Sequence, residues 1–131
     1  MNTKKTLKVY FTILFSILFL LHQVHSSLRL IHARIMNRRN NGKSIEVHCR
    51  SFDDDLNNQL VLDGNELAWE FKESFNEETQ FYCDLKWNDT IKFHFDAYLS
   101  RRDDDGRCFK ICYYQVLEEG LYGYDEETKI W

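Results

Sequence analysis

From residue 28 onward, apolar and polar residues alternate with the two-residue period of a β-strand that buries one face. The segments that show this alternation are Lys43–Cys49, Leu67–Phe71, Phe81–Trp87 and Ile91–Ala97. The apolar and aromatic segments Leu30–Met36 and Ile111–Leu117 are predicted as further strands, and no amphipathic helix is predicted in this part of the chain.

The segments between these strands are rich in residues that favour turns. Asn40-Asn41-Gly42 tolerates positive φ, so Leu30–Met36 and Ser44–Cys49 are predicted to form a hairpin. Turns are also predicted at Asp63-Gly64-Asn65 and Trp87–Thr90, and Asp103–Gly106 is predicted to end a strand. Short strands at this spacing predict an all-β domain, an antiparallel sandwich or barrel. Most of its core is expected from six inward-facing aromatic residues, Trp69, Phe71, Phe81, Trp87, Phe93 and Phe95.

The N-terminal segment has the organisation of a secretory signal peptide. Three lysines precede the apolar run Val9–Leu21, and a short polar stretch with small residues follows it. We predict cleavage after Ser26, with Ser27 as the alternative, so residues 1–26 form the signal peptide and 27–131 the mature domain. The other interpretation is a membrane anchor. It is disfavoured because the run has 13 residues, whereas a spanning helix needs roughly 20.

Removal of the leader changes the charge of the chain. The full sequence has 17 basic and 21 acidic side chains, and the leader contains three of the basic residues and none of the acidic ones. The mature domain therefore has 14 basic and 21 acidic side chains, a formal charge of −7. Binders of nucleic acid need a basic surface, so no nucleic-acid partner is expected. We predict a secreted, extracellular protein that does not insert into a membrane after cleavage and whose partner has a basic surface.

All four cysteines, Cys49, Cys83, Cys108 and Cys112, lie in the mature part. An even number in an exported domain predicts two disulfides. Three pairings are possible. A local bridge between Cys108 and Cys112 fits their spacing, and a cross-strand partner for Cys112 is equally compatible with the pattern. A zinc site is disfavoured because only His48 lies beside a cysteine.

Three polar features are candidate sites. Asn88-Asp89-Thr90 is an N-glycosylation sequon in a predicted turn. Two acidic triplets, Asp53-Asp54-Asp55 and Asp103-Asp104-Asp105, lack the spacing of a calcium-binding loop and are read as solvated loops. The second triplet lies in a charged segment flanked by cysteines. The candidate binding residues are therefore Asp53, Asp54, Asp55, Arg101, Arg102, Asp103, Asp104, Asp105 and Arg107.

Catalysis has little support in the sequence. The mature histidines His32, His48 and His94 lie at alternating strand positions, where histidine is ordinarily solvent-facing or hydrogen-bonded. There is no G-x-S-x-G motif and no glycine-rich phosphate loop. We predict a protein that is not an enzyme and needs no cofactor or metal.

An ordered set of motifs resembles the plant self-incompatibility protein family, the S-protein homologues. The matching segments are Ile45–Ser51, Asp53–Leu56, Phe81–Trp87, Phe93–Tyr98, Arg101–Cys108, Cys112–Tyr114 and Gly120–Tyr124. The resemblance implies a small β-sandwich with variable loops, in which the four cysteines form intramolecular disulfides. The founding members of that family are secreted stigma proteins that act as ligands of a pollen receptor.

These observations lead to one hypothesis and two alternatives. The hypothesis is a secreted, non-enzymatic signalling protein that binds a membrane receptor through the loops Ser51–Asn58 and Ser100–Arg107. The first alternative is a secreted hydrolase or defence toxin, which needs a cleft with convergent carboxylates or histidines, such as one around His32, His48 or His94. The second is a cell-wall carbohydrate-binding module, which needs exposed aromatic residues such as Tyr122 and Tyr124 on one flat face.

Overall fold

A computed structural model of the protein describes residues 2–74, 78–103 and 106–131, with the backbone alone for residues 24–27. The chain begins with helix α1, Thr3–Ser27. Its stretch Thr3–Gln23 is apolar and long enough to cross a membrane, and none of it is buried against other parts of the described chain. A helix of this kind at the N-terminus is compatible with a signal peptide.

The described residues after α1 form eight strands and one four-residue helix. In chain order these are β1 Leu30–Asn37, β2 Ile45–Arg50, β3 Asp55–Val61, β4 Glu66–Lys72, β5 Gln80–Lys86, β6 Lys92–Leu99, α2 Ser100–Asp103, β7 Ile111–Leu117 and β8 Gly120–Gly123. They make two four-stranded sheets, ordered β4-β1-β7-β8 and β3-β2-β5-β6. The predicted all-β sandwich is confirmed. Its strands pair antiparallel except β1 and β7, which are parallel.

The predicted hairpin between Leu30–Met36 and Ser44–Cys49 is wrong, because β1 and β2 belong to different sheets. Residues 38–44 cross from one sheet to the other. The buried side chain of Asn37 holds this crossing by donating hydrogen bonds to the carbonyls of Lys43 (2.9 Å) and Val61 (3.1 Å). The positive φ angles expected near Asn40 and Gly42 are present, but they serve the crossing and not a two-residue turn.

Two predicted boundaries also change. Strand β3 occupies the second half of the predicted loop Ser51–Asn58, so the loop itself is only Ser51–Asp54. Buried and exposed side chains alternate only weakly along β3, because it is an edge strand and its pairing with β2 shifts register between His48 and Arg50. The acidic segment after Ser100 does not end a strand. Strand β6 stops at Leu99, and α2 carries the chain away from the sheet.

The core contains most of the predicted aromatic residues. Phe81 and Trp87 are buried, and Trp69, Phe71 and Phe95 pack against the core from partly buried positions. Phe93 was predicted wrongly, since it is 42% exposed on the edge strand β6. Tyr98 is fully buried instead. A register shift beside Phe81 breaks the alternation there, so that Ala97 and Tyr98, although adjacent, are both buried.

Two disulfides fix the connectivity left open by the sequence. Cys49 and Cys83 are directly opposite each other on β2 and β5, with their Cα atoms 4.1 Å apart. Cys108 and Cys112 form the local bridge, with Cα atoms 5.0 Å apart. The second bridge closes the connection that leads from α2 into β7.

The strand order divides the remaining segments between two ends of the sandwich. One end of the sandwich, here called the loop end, is set by the cross-strand pairs Arg50↔Tyr82, Gln80↔Leu99 and Leu30↔Lys72. At this end lie Ser51–Asp54 and the described residues 73–74, 78–79, 100–103 and 106–110. Residues 38–44, 62–65, 87–91 and 118–119 lie at the other, here called the sequon end. Both predicted binding loops therefore lie at the same end of the molecule.

Candidate partner-binding surface

The turn Ser51–Asp54 is held rigidly at the loop end. Ser51 N–H donates to the Asp54 carbonyl (2.7 Å). The Ser51 hydroxyl accepts from Asp54 N–H (3.1 Å) and donates to Asp53 Oδ1 (3.1 Å). The turn leaves β2 one residue after the Cys49–Cys83 bridge. Rigid loops bind with less loss of conformational entropy than mobile ones.

This turn presents Phe52 to solvent, with its side chain fully exposed. A phenylalanine with no contact to the core has no structural role in the free domain. Asp53 and Asp54 beside it are also exposed. Phe52 lies inside the segment predicted to bind, but composition alone did not distinguish it from the aromatic residues of the core.

Asp55 has a different role from its two neighbours. It begins β3, accepts a hydrogen bond from Asn57 N–H (2.8 Å) and pairs with His48 Nε2 (2.6 Å). The hydrogen bonds from Asn57 N–H and from His48 hold the pKa of Asp55 below its ordinary value. Asp55 is exposed, but its acceptor oxygen is already bonded to the chain itself.

The predicted contact residue Asp103 is not accessible, because its side chain is fully buried. Its Oδ1 accepts from Arg102 Nε and Arg107 Nε, and its Oδ2 accepts from Leu99 N–H and a terminal nitrogen of Arg102, each at 2.8 Å. Burial alone would raise the pKa of Asp103, but these hydrogen bonds outweigh it and hold the pKa below its ordinary value. Asp103 therefore positions the loop and does not touch a partner.

The same cluster ties the loop to both sheets. Arg107 donates to the Tyr114 hydroxyl (2.9 Å) on β7, and that hydroxyl donates to the Ala97 carbonyl (2.7 Å) on β6. Burial raises the pKa of Tyr114, so its hydroxyl remains a donor at neutral pH. Arg102 also donates to the Asp96 carbonyl (2.7 Å). Arg101 is exposed and, among the charged side chains described in this segment, is the one that faces solvent without a bond to the cluster. The predicted contacts Asp104 and Asp105 lie outside the described residues.

A second buried polar group supports the loop end, and no sequence pattern predicted it. Arg29 pairs with Glu73 (2.8 Å), and the Tyr98 hydroxyl donates to Glu73 as well (2.8 Å). Burial and the hydrogen bond to Glu73 raise the pKa of Tyr98. Arg29 also lies over the ring of Phe109, 4.3 Å from its centroid. Tyr98 was missed because strict alternation after Phe93, Phe95 and Ala97 would place it outside.

Two neighbouring clefts open at the loop end. The larger, of about 910 Å³, is lined by the whole Ser51–Asp54 turn, by the end of β4 and by the start of β5. The smaller, of about 330 Å³, is lined by Leu99–Arg101 and shares the segment Glu78–Gln80 with the first. These two clefts connect the acidic turn to Arg101. We call the exposed side chains Phe52, Asp53, Asp54 and Arg101 and the clefts between them the loop-end surface.

The histidines lie elsewhere. His32 pairs with Glu70 (3.1 Å), His48 with Asp55 (2.6 Å) and His94 with Asp84 (2.7 Å), and none of the three histidines lines either cleft. Within residues 2–74, 78–103 and 106–131, no three His, Cys, Asp or Glu side chains are placed to hold a metal ion. Tyr124 packs on Trp131 at an interplanar angle of 55°, so this pair forms no flat aromatic platform.

The sequon lies at the sequon end, away from the loop-end surface. Asn88 is exposed, and its Oδ1 accepts from Thr90 N–H, from the Thr90 hydroxyl and from Ile91 N–H, each at 2.9 Å. These bonds fix the amide oxygen toward the turn.

Comparison with known proteins gives a consistent result. The sequence profile described as plant self-incompatibility protein S1 matches residues 32–131. The chain is 51% identical over 102 residues to self-incompatibility protein S1 of Papaver rhoeas, which covers 78% of this chain and 73% of that protein. It is 32% identical over 108 residues to S-protein homolog 29 of Arabidopsis thaliana, with 82% and 78% covered. S-protein homolog 6 of the same plant is 32% identical over 96 residues, with 73% and 69% covered. No solved structure matches the chain significantly.

Proposed function

The chain belongs to the plant self-incompatibility protein S1 family, and we propose that it is a secreted, non-enzymatic ligand of a cell-surface receptor. The observation that carries this proposal is the loop-end surface. Exposed Phe52, Asp53, Asp54 and Arg101 are held at one end of a rigid sandwich by a disulfide, by the Ser51–Asp54 turn and by the bonds of Asp103. Exposed aromatic and charged side chains on a rigid frame are typical of protein-binding loops.

A non-enzymatic role is supported by where the titratable residues lie. Each of His32, His48 and His94 is paired with a carboxylate across neighbouring strands, whereas a general base must lie within hydrogen-bond reach of a bound substrate. The clefts are lined by other side chains. No histidine of the described residues therefore serves either cleft as a general base, and a hydrolase would have to use the carboxylates that line the larger cleft, Asp53, Asp54, Glu70 and Glu78.

Secretion is supported by the apolar helix near the N-terminus. In this proposal, the signal peptide is cleaved after Ser26 and the mature domain acts outside the cell. Passage through the secretory route also exposes Asn88 to glycosylation. In that reaction a bond forms between Asn88 Nδ2 and C1 of the sugar of a lipid-diphosphate-linked oligosaccharide. The sugar–phosphate bond breaks, the lipid diphosphate leaves and the amide loses a proton.

The receptor proposal is tested by binding of the labelled mature domain to plasma-membrane vesicles from plant tissue. The double variant Asp54→Ala/Arg101→Ala removes one acid and one base from the loop-end surface. Its matched control, Lys43→Ala/Glu119→Ala, removes one base and one acid that are exposed at the sequon end. Net charge is unchanged in both variants, so nonspecific electrostatics cannot distinguish them.

We expect the loop-end variant to lose saturable binding by at least tenfold, about 1.4 kcal/mol, while the control binds as the wild type does. Both variants should unfold at the wild-type temperature, because exposed side chains contribute little to stability. Equal binding of both variants, or saturable binding by neither wild type nor control, would contradict the proposal.

A further inference from the structure

Two apolar side chains next to the sequon are unexpectedly exposed. Ile91 is 44% and Phe93 is 42% exposed, although Phe93 continues an alternation that should place it in the core. The Phe93 ring lies 5.8 Å from the ring of Trp87, which directly precedes Asn88. Ile91 and Phe93 therefore form an exposed apolar surface at the start of β6, next to the buried ring of Trp87. A secreted domain gains solubility when such a surface is covered.

The geometry of Asn88 places any group attached to it beside this surface. Asn88 Oδ1 is only 2.9 Å from Ile91 N, and three hydrogen bonds prevent the amide from turning. Its Nδ2 is bonded to the same carbon as Oδ1 and faces away from the turn, so a sugar attached to Nδ2 begins within a few ångströms of Ile91 N and is free to lie over the neighbouring surface. Ile91 and Phe93 are two residues apart, so in an extended chain their side chains lie on the same face, about 7 Å from each other. Two linked sugar rings can span that distance.

The chemistry of the attached sugar suits the apolar surface. N-acetylglucosamine carries C–H groups on the faces of its ring and a methyl group on its acetamide. Contact between these groups and Ile91 and Phe93 removes apolar area from water on both partners, which stabilises the contact. The neighbouring charged groups do not oppose the contact, since Lys92 and His94 alternate to the other face of β6 and His94 is paired with Asp84.

We propose that the first sugars of an N-linked glycan on Asn88 pack against Ile91 and Phe93 and stabilise the sequon end of the fold. This inference rests on the glycosylation proposed above. It assigns the glycan a structural role, at the end of the sandwich opposite to the loop-end surface. It also explains why an aromatic residue is left outside the core at this position.

The test uses the mature protein secreted by plant cells. Peptide mapping by mass spectrometry first measures whether Asn88 carries a glycan. One sample is then trimmed by an endoglycosidase to a single N-acetylglucosamine. A second is treated with peptide N-glycosidase, which removes the sugar and leaves aspartate, whose carboxylate keeps the acceptor oxygen at position 88. We expect the single-sugar form to have a Tm higher by about 4 °C, the order expected when a small apolar patch is partly covered.

The difference between the two forms should be lost in Ile91→Ser/Phe93→Ser. It should persist in Leu60→Ser, a control that removes another exposed apolar side chain from the edge strand β3. In the wild type, which needs no substitution, nuclear Overhauser contacts are expected between the acetyl methyl group and the Phe93 ring.

Each other outcome overturns a defined part of the proposal. A bare Asn88 refutes the glycosylation and this inference together. An occupied Asn88 with equal Tm values, or with no contact to Phe93, refutes the packing alone and leaves the glycosylation intact. A glycosylated protein that dimerises through Ile91 and Phe93 would assign the surface to a second copy of the chain and refute the inference.

Discussion

Replacement of Asp103 tests whether the buried carboxylate holds the loop end together. Asp103→Asn keeps the shape of the side chain and removes its charge, and Asp103→Ala removes all four hydrogen bonds. Breaking a buried ion pair by removing one partner costs about 3–5 kcal/mol. We expect the lower end of that range for alanine, because Arg102 and Arg107 are 43% and 25% exposed and can bind water instead.

For Asp103→Asn we expect the free energy of unfolding to fall by about 2 kcal/mol. The amide oxygen of asparagine still accepts a hydrogen bond, but its NH₂ group faces the arginine donors and cannot accept from them. In a domain of this size, alanine should lower Tm by about 12 °C. The assay is thermal and urea unfolding of the mature domain followed by circular dichroism, with Arg101→Ala as the exposed neighbouring control. A change below about 0.5 kcal/mol for Asp103→Asn, the level of an ordinary surface substitution, would refute the reasoning.

The pH dependence provides an independent check of the same prediction. Because the pKa of Asp103 is lower in the folded state, the stability it contributes is fully present above the unfolded pKa of about 3.9 and is lost as pH falls through the folded value. The difference in free energy of unfolding between the wild type and Asp103→Asn should therefore be constant from about pH 5 to 8. It should narrow below about pH 4. A gap that widens in acid would contradict the sign of this contribution.

Three further predictions concern the disulfides, Tyr98 and Phe52. Removal of the Cys49–Cys83 bridge should lower the free energy of unfolding by about 1.7 kcal/mol more than removal of the Cys108–Cys112 bridge. The reason is that the bridges join cysteines separated by 34 and 4 residues, and the entropy that a bridge removes from the unfolded chain grows with the logarithm of loop length. Equal losses measured by urea unfolding would contradict this. Tyr98→Phe should destabilise the domain by about 1–3 kcal/mol by removing a hydroxyl donor from buried Glu73, and unchanged unfolding would show that Glu73 does not depend on it. Phe52→Ala should leave the unfolding temperature unchanged while weakening vesicle binding, and the reverse pattern would refute its assignment to the binding surface.

Local patterns in the sequence predicted the strands better than the pairing between them. Alternation identified β2 and β5, which bury one face, and β4, in which alternate side chains are half-buried. It also located β6, although buried side chains do not alternate in that strand because its pairing with β5 shifts register. The pairing of β1 with β7 could not be read in the same way, because parallel partners are distant in sequence and no turn motif joins them. The hairpin predicted from the turn residues at 40–42 was wrong for a related reason. Positive φ indicates a change of chain direction but does not determine which sheet the chain enters next.

The sequence predicts two charged binding loops, the structure shows which of their described side chains are exposed, and contact with a partner stays a prediction. Both charged loops were identified, and the strand order brings them to the same end. The sequence could not separate Asp54 from Asp103, because both are aspartates in acidic runs. Burial distinguishes them, and the buried position of Asp103 depends on Arg107, which donates to Asp103 and is itself bonded to the Tyr114 hydroxyl on β7. Phe52 was overlooked for the opposite reason, since an aromatic residue is ordinarily expected inside.

The central claim is that a receptor contacts the loop-end surface. It is tested most directly by hydroxyl-radical footprinting of the domain, free and bound to plasma-membrane vesicles, with oxidation measured at each side chain. Phe52 is fully exposed in the free domain, so we expect strong protection of Phe52 on binding, while Leu60 and the groups of the sequon end remain as reactive as before. Protection of the sequon end or the sheet faces, with Phe52 still fully oxidised, would contradict the claim.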